Sequence, residues 1–307
     1  MQKEGTVMDY EIWAATDGSP NASNAVATAI HLAQAFTAHL TLVAVDVSVG
    51  GYGPYRITTP TLDDQVRTLL SQALNEGAQA VQQAGIAVET RLLQGLTKGS
   101  LWDRSTAVPP LCHAIEDAAP NLVVVGSHGH GVLSSGLLGS VSDRLARMCI
   151  VDVLVVRPGM DLQGPVLVAT DGSAVAMQAV SRASRLARAL GVPLTVITVA
   201  EPSSTVARCH EADFSLGGAV ESVLARYRTT VLNEAVQQVQ VQGVTAVSVR
   251  ETVGPVAPTV AQIAKSEGFS WVVVGSHGHG GWTSHVLLGS VSDRLIHLSP
   301  VSVWVVR

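Results

Sequence analysis

Cysteine is scarce in this chain of 307 residues: Cys112, Cys149 and Cys209 are all it has, and no two stand at CxxC spacing. An odd number without that spacing argues against a disulfide framework and against a zinc knuckle, so the three read as free thiols used for packing. Charge is sparse too, with charged residues at 14% of the chain, a net charge of -5 and a pI near 6.0. No basic field is available to hold a polyphosphate backbone, which argues against a nucleic acid partner. Also missing is any apolar block of membrane length; the mean hydropathy of +0.32 comes from dispersed Ala, Val and Leu. The first residues carry Gln2, Lys3, Glu4 and Asp9 with no apolar h-region. The sequence therefore predicts no secretory signal, no membrane span and a cytoplasmic protein.

What the chain does have is itself, twice. VVVGSHGHG stands at Val123 to Gly131 and again at Val272 to Gly280, each time followed by LLGSVSDRL. WAATDGS at Trp13 to Ser19 answers LVATDGS at Leu167 to Ser173, and VLVVRP from Val153 answers VWVVR from Val303. The offset shrinks from 154 residues between Asp17 and Asp171 to 149 between Gly126 and Gly275, so insertions lie between, the largest at Leu96 to Pro110. A period of about 150 is far above that of solenoid repeats, so each copy is expected to be a domain with its own core. The predicted boundaries are 1–158 and 162–307, joined by a short linker rich in Pro and Gly.

Strand and helix patterns alternate in both copies. Short apolar or β-branched runs predict strands at Glu11 to Thr16, Leu40 to Val47, Ala87 to Leu93, Leu122 to Gly126 and Asp152 to Arg157. The second copy gives Val166 to Thr170, Leu194 to Ala200, Thr245 to Glu251, Trp271 to Gly275 and Val301 to Val306. Ser19 caps a helix with Pro20 in its first turn, Leu62 to Ala84 repeats apolar residues at helical spacing before Gly85, Leu111 to Ala118 precedes Pro120, and Val220 to Val241 is helical. Near-continuous apolar strands such as LVVVG imply burial on both faces. The fold class is thus α/β: two tandem, doubly wound domains, each with a five-stranded parallel sheet covered by helices on both sides.

In such sheets ligands bind outside the carboxyl ends of the strands, where strand order reverses. The fourth strand runs into Gly126, Ser127, His128 and Gly129, and after nine residues come Gly139, Ser140 and a helix. Glycines permit close backbone approach, and the unpaired N–H groups and dipole of a helix start favour an anion, so this element suits phosphate, with Ser140 and Ser142 offering hydroxyls. It is neither GxxxxGK[ST] nor GxGxxG.

A first strand ending in Asp-Gly-Ser, with a fourth leading to G-x2-G-x9-G-[ST], resembles the universal stress protein family, and the duplication resembles a tandem member. The resemblance implies strand order 3-2-1-4-5, a fold akin to adenine nucleotide alpha hydrolases, and a site for ATP, with ADP or AMP as alternatives and Mg2+ as a companion. It implies that Gly126, Gly129, Gly139, Ser140 and Val141 meet phosphate and ribose, and that Ala15, Asp17, Val45 and Val125 meet the nucleoside. The second copy matches at Ala169, Asp171, Val199, Val274, Gly275, Gly278, Gly289, Ser290 and Val291. There, ten residues rather than nine separate Gly278 from Gly289, which makes occupancy of that site less secure.

Other constellations are weaker. His128 with His130, and His277 with His279, lack a third ligand, so they read as phosphate neighbours or solvent-facing groups and no metal site is assigned. Asp143 and Asp293 stand where acids favour a helix start. Asp17 and Asp171 suit a turn as well as a ligand contact. No GxSxG elbow occurs and no catalytic residue is assigned. Ser48 to Thr61 and Pro202 to Gly218 are candidate lids. The fifth strands, VDVLVVR and VSVWVVR, lack edge protection and, as in the family, are expected to pair, giving an intrachain pseudo-dimer that could dimerise further. The favoured function is a stress-associated regulatory module whose nucleotide changes its choice of an unidentified protein partner; the rival is a slow ATP hydrolase or phosphotransferase using the same pocket.

Overall fold

The computed structural model describes residues 10–47, 60–95, 107–129, 138–201, 214–244, 247–278 and 288–307. The chain divides into two compact units, Met1–Pro158 and Gly159–Arg307. In the first, the strands are β1 (Glu11–Ala15), β2 (His39–Asp46), β3 (Val88–Gln94), β4 (Leu122–Gly126) and β5 (Asp152–Val156), interleaved with helices α1 (Pro20–Phe36), α2 (Pro60–Gln83), α3 (Val108–Ala118) and α4 (Ser140–Met148). They form a parallel sheet of order β3-β2-β1-β4-β5. The second unit repeats this with β6 (Val166–Ala169), β7 (Leu194–Ala200), β8 (Val247–Val253), β9 (Trp271–Gly275) and β10 (Ser302–Val306), in the order β8-β7-β6-β9-β10. Its helices are α5 (Ala174–Leu190), α6 (Phe214–Val241), α7 (Val256–Ser266) and α8 (Ser290–Leu298). The expected α/β class and strand order are both present.

Two faces of each sheet are covered, which is why the central strands are apolar throughout. On one face α1 and α2 meet over β2: a side-chain carbon on Gly77 would stand 2.8 Å from Leu42 and 3.8 Å from Val26. On the other face α3 packs on α4, and the second unit pairs α5 with α6 and α7 with α8 in the same way. Helix α1 presents Ala22, Ala25, Val26, Ala29, Leu32, Ala33 and Phe36 inward, so small residues let the helix lie close to the strands. Trp13, Trp271 and Trp304 are among the largest fully buried side chains. Burial of each apolar side chain of Val or Leu size contributes roughly 1.5 to 3 kcal/mol.

Element starts differ from expectation in places. Helix α3 begins at Val108 rather than Leu111, taking Pro109 and Pro110 into its first turn, where a missing N–H leaves no intrahelical bond unmade. Pro60 and Thr61, expected in a lid, open α2, and 214–218 belong to α6. The rest of those two lid candidates, most of the Leu96 to Pro110 insertion, His130, His279 and Cys209 lie outside the described residues. Among the described residues, no helix is long and apolar enough to cross a membrane.

The halves end their first helix differently. Helix α1 stops at Thr37, held left-handed at φ 53, whereas α5 stops at Gly191 at φ 68. A side-chain-bearing residue in this region costs roughly 1 kcal/mol more than glycine. Thr37 is exposed, so little packing is lost by removing it. Thr37→Gly is expected to raise, and Gly191→Thr to lower, unfolding stability by about 1 kcal/mol each, read as opposite shifts in the urea midpoint at unchanged slope.

Candidate functional site

The carboxyl ends of β1 and β4 lie side by side, with Ala14 in register with Val124, so Ala15 neighbours Val125. Past β1 the chain turns sharply: Gly18 N–H donates to Thr16 Oγ1 at 3.2 Å, Ser19 N–H donates to Asp17 Oδ1 at 2.9 Å, and Gly18 sits at φ 78. Ser19 then caps α1 by accepting from Ala22 N–H at 3.2 Å. The second half makes the same turn, with Gly172 N–H to Thr170 Oγ1 at 3.1 Å, Ser173 N–H to Asp171 Oδ1 at 3.0 Å, and Ser173 capping α5 through Ala176 N–H at 3.3 Å.

The second carboxylate oxygen of this aspartate faces the glycine loop. A Cβ on Gly129 would stand 2.5 Å from Asp17 Oδ2, and one on Gly278 would stand 2.4 Å from Asp171 Oδ2. Gly126 is required for another reason: its Cβ would meet the Asn21 carbonyl at 2.6 Å, where the first turn of α1 crosses the end of β4. Gly275 meets the first turn of α5 in the same manner, at 3.0 Å.

Both ends of the loop are pinned. Ser127 N–H donates to Val156 O at 2.9 Å and Gly139 N–H donates to Ser127 O at 2.7 Å; in the second half Ser276 donates to Val306 O and Gly289 to Ser276 O, each at 2.7 Å. Ser142 Oγ donates to Gly126 O and Ser292 Oγ to Gly275 O, each at 2.6 Å. Ser142 and Ser292 are buried. The expectation that Ser142 serves as a phosphate donor is thereby corrected: its hydroxyl clasps the helix to the strand end, because burial leaves it no other role without a lost hydrogen bond. Ser140, Val141, Ser290 and Val291 remain at the surface end of their helices. Gly139 and Gly289 are the N-caps, and among the described residues neither helix start has a side-chain cap hydrogen bond.

The remaining predicted positions fall around this edge. Val45 and Val199 are half-buried near the ends of β2 and β7, two residues past the register of Ala15 and Ala169 with their neighbouring strands. Val125 and Val274 are buried one residue before the loops. Asp143 is engaged in the first turn, accepting from Arg147 Nε at 3.0 Å, as a helix-start acid does. His128 is half-buried: its Nδ1 lies 2.8 Å from the buried Ser127 Oγ, and its Nε2 is buried without a partner among the described residues. Ser276 and His277 repeat the contact at 3.0 Å.

Three features escaped sequence reasoning. Thr16 and Thr170 organise the turn, and the repeated ATDGS was the available signal. Ser127 and Ser276 back the histidines, with GSHG repeated. Asp46, fully buried at the end of β2, accepts from Arg67 Nε of α2 at 3.1 Å; an acid ending an apolar strand was its signal. The second half has Ala200 there, since Gly95 N–H donates to Asp46 O as Gly254 N–H does to Ala200 O. Instead, Tyr227 of α6 donates to the carbonyl of Asp171 at 3.1 Å. A hollow of about 410 Å3 lined by Glu11, His39, Thr41, Val88 and Glu89 lies at the opposite, amino-terminal edge of the first sheet and takes no part in this arrangement.

Repeated strand, turn, glycine loop and helix start define a tandem α/β protein with the same strand-end arrangement in each half. The sequence model of the universal stress protein family matches residues 11–157 and 164–307, and the chain belongs to that family. It is 30% identical over 302 residues to one universal stress protein of Mycobacterium tuberculosis, covering 96% of this chain and 91% of that one. A second from the same organism is 31% identical over 302 residues, covering 95% and 94%. The crystal structure of a universal stress protein from Archaeoglobus fulgidus shares the fold at a TM-score of 0.65 and 22% identity, over 97% of this chain and 98% of that one.

The electrostatics of His128 carry a test. Burial, and then the nearby Arg157, lower its pKa from the ordinary value near 6.5; burial lowers His31 likewise. Near and below pH 6.5 the unfolded chain binds more protons at these sites than the folded one, so stability falls as pH drops through that value and levels off once the folded-state pKa is passed. His128→Gln is expected to make the acid-side loss shallower, measured as urea midpoints from pH 7.5 down to about 5; an unchanged slope would contradict this assignment.

Proposed function

We propose that each half binds one adenine nucleotide at the carboxyl edge of its sheet, ATP in the first instance with ADP or AMP as alternatives, accompanied by Mg2+. The observation that carries the reading is the uncapped start of α4 and of α8 beside a glycine loop held against the strand-end aspartate. Gly126, Gly129, Gly139, Ser140 and Val141 form the phosphate and ribose side of the first site, and Ala15, Asp17, Val45 and Val125 the nucleoside side. Gly275, Gly278, Gly289, Ser290 and Val291, with Ala169, Asp171, Val199 and Val274, do the same in the second.

The reading makes the protein a cytoplasmic regulatory module whose nucleotide state selects a protein partner in a stress response, each half acting as a domain with boundaries at 1–158 and 162–307.

Nucleotide released on denaturing the purified chain, identified by chromatography, should approach two moles per chain if the longer loop of the second half is tolerated and one if it is not. Gly139→Val should remove the first-site share, because the new side chain would meet Ser127 O and the His128 backbone, whose distances from a Cβ there are already 3.3 Å. No released nucleotide, followed by no thermal shift on adding ATP with Mg2+, would reject the reading. A ligand at 100 times its dissociation constant should otherwise stabilise the fold by about 2.7 kcal/mol.

A further inference from the structure

Two thiols of the first half meet although they stand far apart in sequence and on different helices. Cys112 lies in α3, and Cys149 is the C-cap of α4, where its N–H donates to Leu145 O. Helices α3 and α4 pack on each other, the two side chains are joined by a hydrogen bond, and neither cysteine is in a disulfide. Cys149 is buried at 2% exposure, while Cys112 is half-buried and so the more accessible of the two.

The second half shows that the scaffold needs neither thiol. Aligning VPPLC with VAPTV, and DRLARMC with DRLIHLS, places Val260 and Ser299 at these positions. Val260 is fully buried as a packing residue. Ser299 is used within its own turn, donating to Val301 O at 2.9 Å and accepting from Val301 N–H at 3.3 Å. The same two positions thus hold an apolar residue and a local cap in one half, and a facing pair of thiols in the other.

We infer that Cys112 and Cys149 form an oxidisable dithiol, a modification site of the first half that a peroxide converts into an intrachain disulfide. The Cys112 thiolate attacks one oxygen of hydrogen peroxide; a sulfur–oxygen bond forms as the oxygen–oxygen bond breaks, and the departing hydroxide takes up a proton to leave as water. The Cys149 thiolate then attacks the sulfenic sulfur, forming the sulfur–sulfur bond as the sulfur–oxygen bond breaks, and the second hydroxide also leaves as water. In sum, two thiols and one peroxide become one disulfide and two waters, with two electrons passing from sulfur to oxygen. The hydrogen bond from Cys149 favours the first step by lowering the Cys112 pKa, against opposing contributions from burial and from Glu116. The bond would tie the far end of α4, the helix that begins at Ser140, to α3. This inference does not rest on nucleotide binding.

Treating the reduced full-length chain with hydrogen peroxide, then titrating thiols in denaturant and mapping peptides without reductant, tests it. The titre should fall from three thiols per chain to one, with a Cys112–Cys149 cross-linked peptide, unchanged monomer mobility and full reversal by dithiothreitol. Cys112→Val and Cys149→Ser, which install the residues of the second half, should keep the native circular dichroism spectrum and abolish that peptide. A titre that stays at three, thiol loss without the cross-linked peptide, or a bond that instead involves Cys209 or joins two chains would overturn the inference.

Discussion

A carboxylate oxygen at the end of the first strand occupies space that any side chain on the loop glycine would need, and both halves depend on that constraint. The approach of Asp17 to Gly129, and of Asp171 to Gly278, brings the turn after β1 or β6 against the loop after β4 or β9. Those strands are neighbours only because each sheet reverses its order there. The loop is then returned to the strand end by the bond from Gly139 or Gly289, and the clasp from Ser142 or Ser292 sets where the following helix begins. Remove the close approach and the helix start loses its fixed place beside the turn.

Much of this was legible because repetition separates signal from accident. One VVVG followed by SHG could be any strand and turn; two, each followed by a glycine and the same helix, define an element. The central strands were readable because parallel strands buried on both faces are apolar without interruption, as in Leu122–Gly126, whereas the outer strands at Val88–Gln94 and Val247–Val253 are partly exposed. The start of the helix at Val108–Ala118 is hard to read because adjacent prolines suit a helix's first turn as well as the connection before it. Hydroxyl direction was illegible. Ser140 and Ser142 look equivalent in sequence, yet helical geometry turns one to the surface and the other inward to a carbonyl.

Duplication has also let the halves diverge where the sheet does not require identity. Asp46 and Arg67 form an ion pair at the wall of the first site. In the second, Arg228 of α6 instead bridges Glu251 and Glu221 at 2.6 and 3.0 Å, and Tyr227 steadies the turn. The carboxylate of the first pair is fully buried, whereas Glu221 and Glu251 are partly exposed, so loss of Arg67 is the costlier change. The halves therefore share a backbone solution while differing in the side chains around it, without any change in strand order.

An acid beside an anion site has to be reconciled with its charge. Two like charges 4 Å apart at an effective dielectric of 20 repel by roughly 4 kcal/mol, more than a typical hydrogen bond returns. A phosphate placed against Asp17 would therefore be disfavoured, whereas the start of α4 offers N–H groups and a favourable dipole to the same group. The two ends of the edge thus favour opposite chemistry: donors for an anion at Gly139 and Ser140, and an acceptor for hydroxyl or amino hydrogens at Asp17. In the nucleotide reading this polarity alone orients the ligand, phosphates toward α4 and nucleoside toward β1 and β2, with no need for a lysine of the kind that the Walker loop uses.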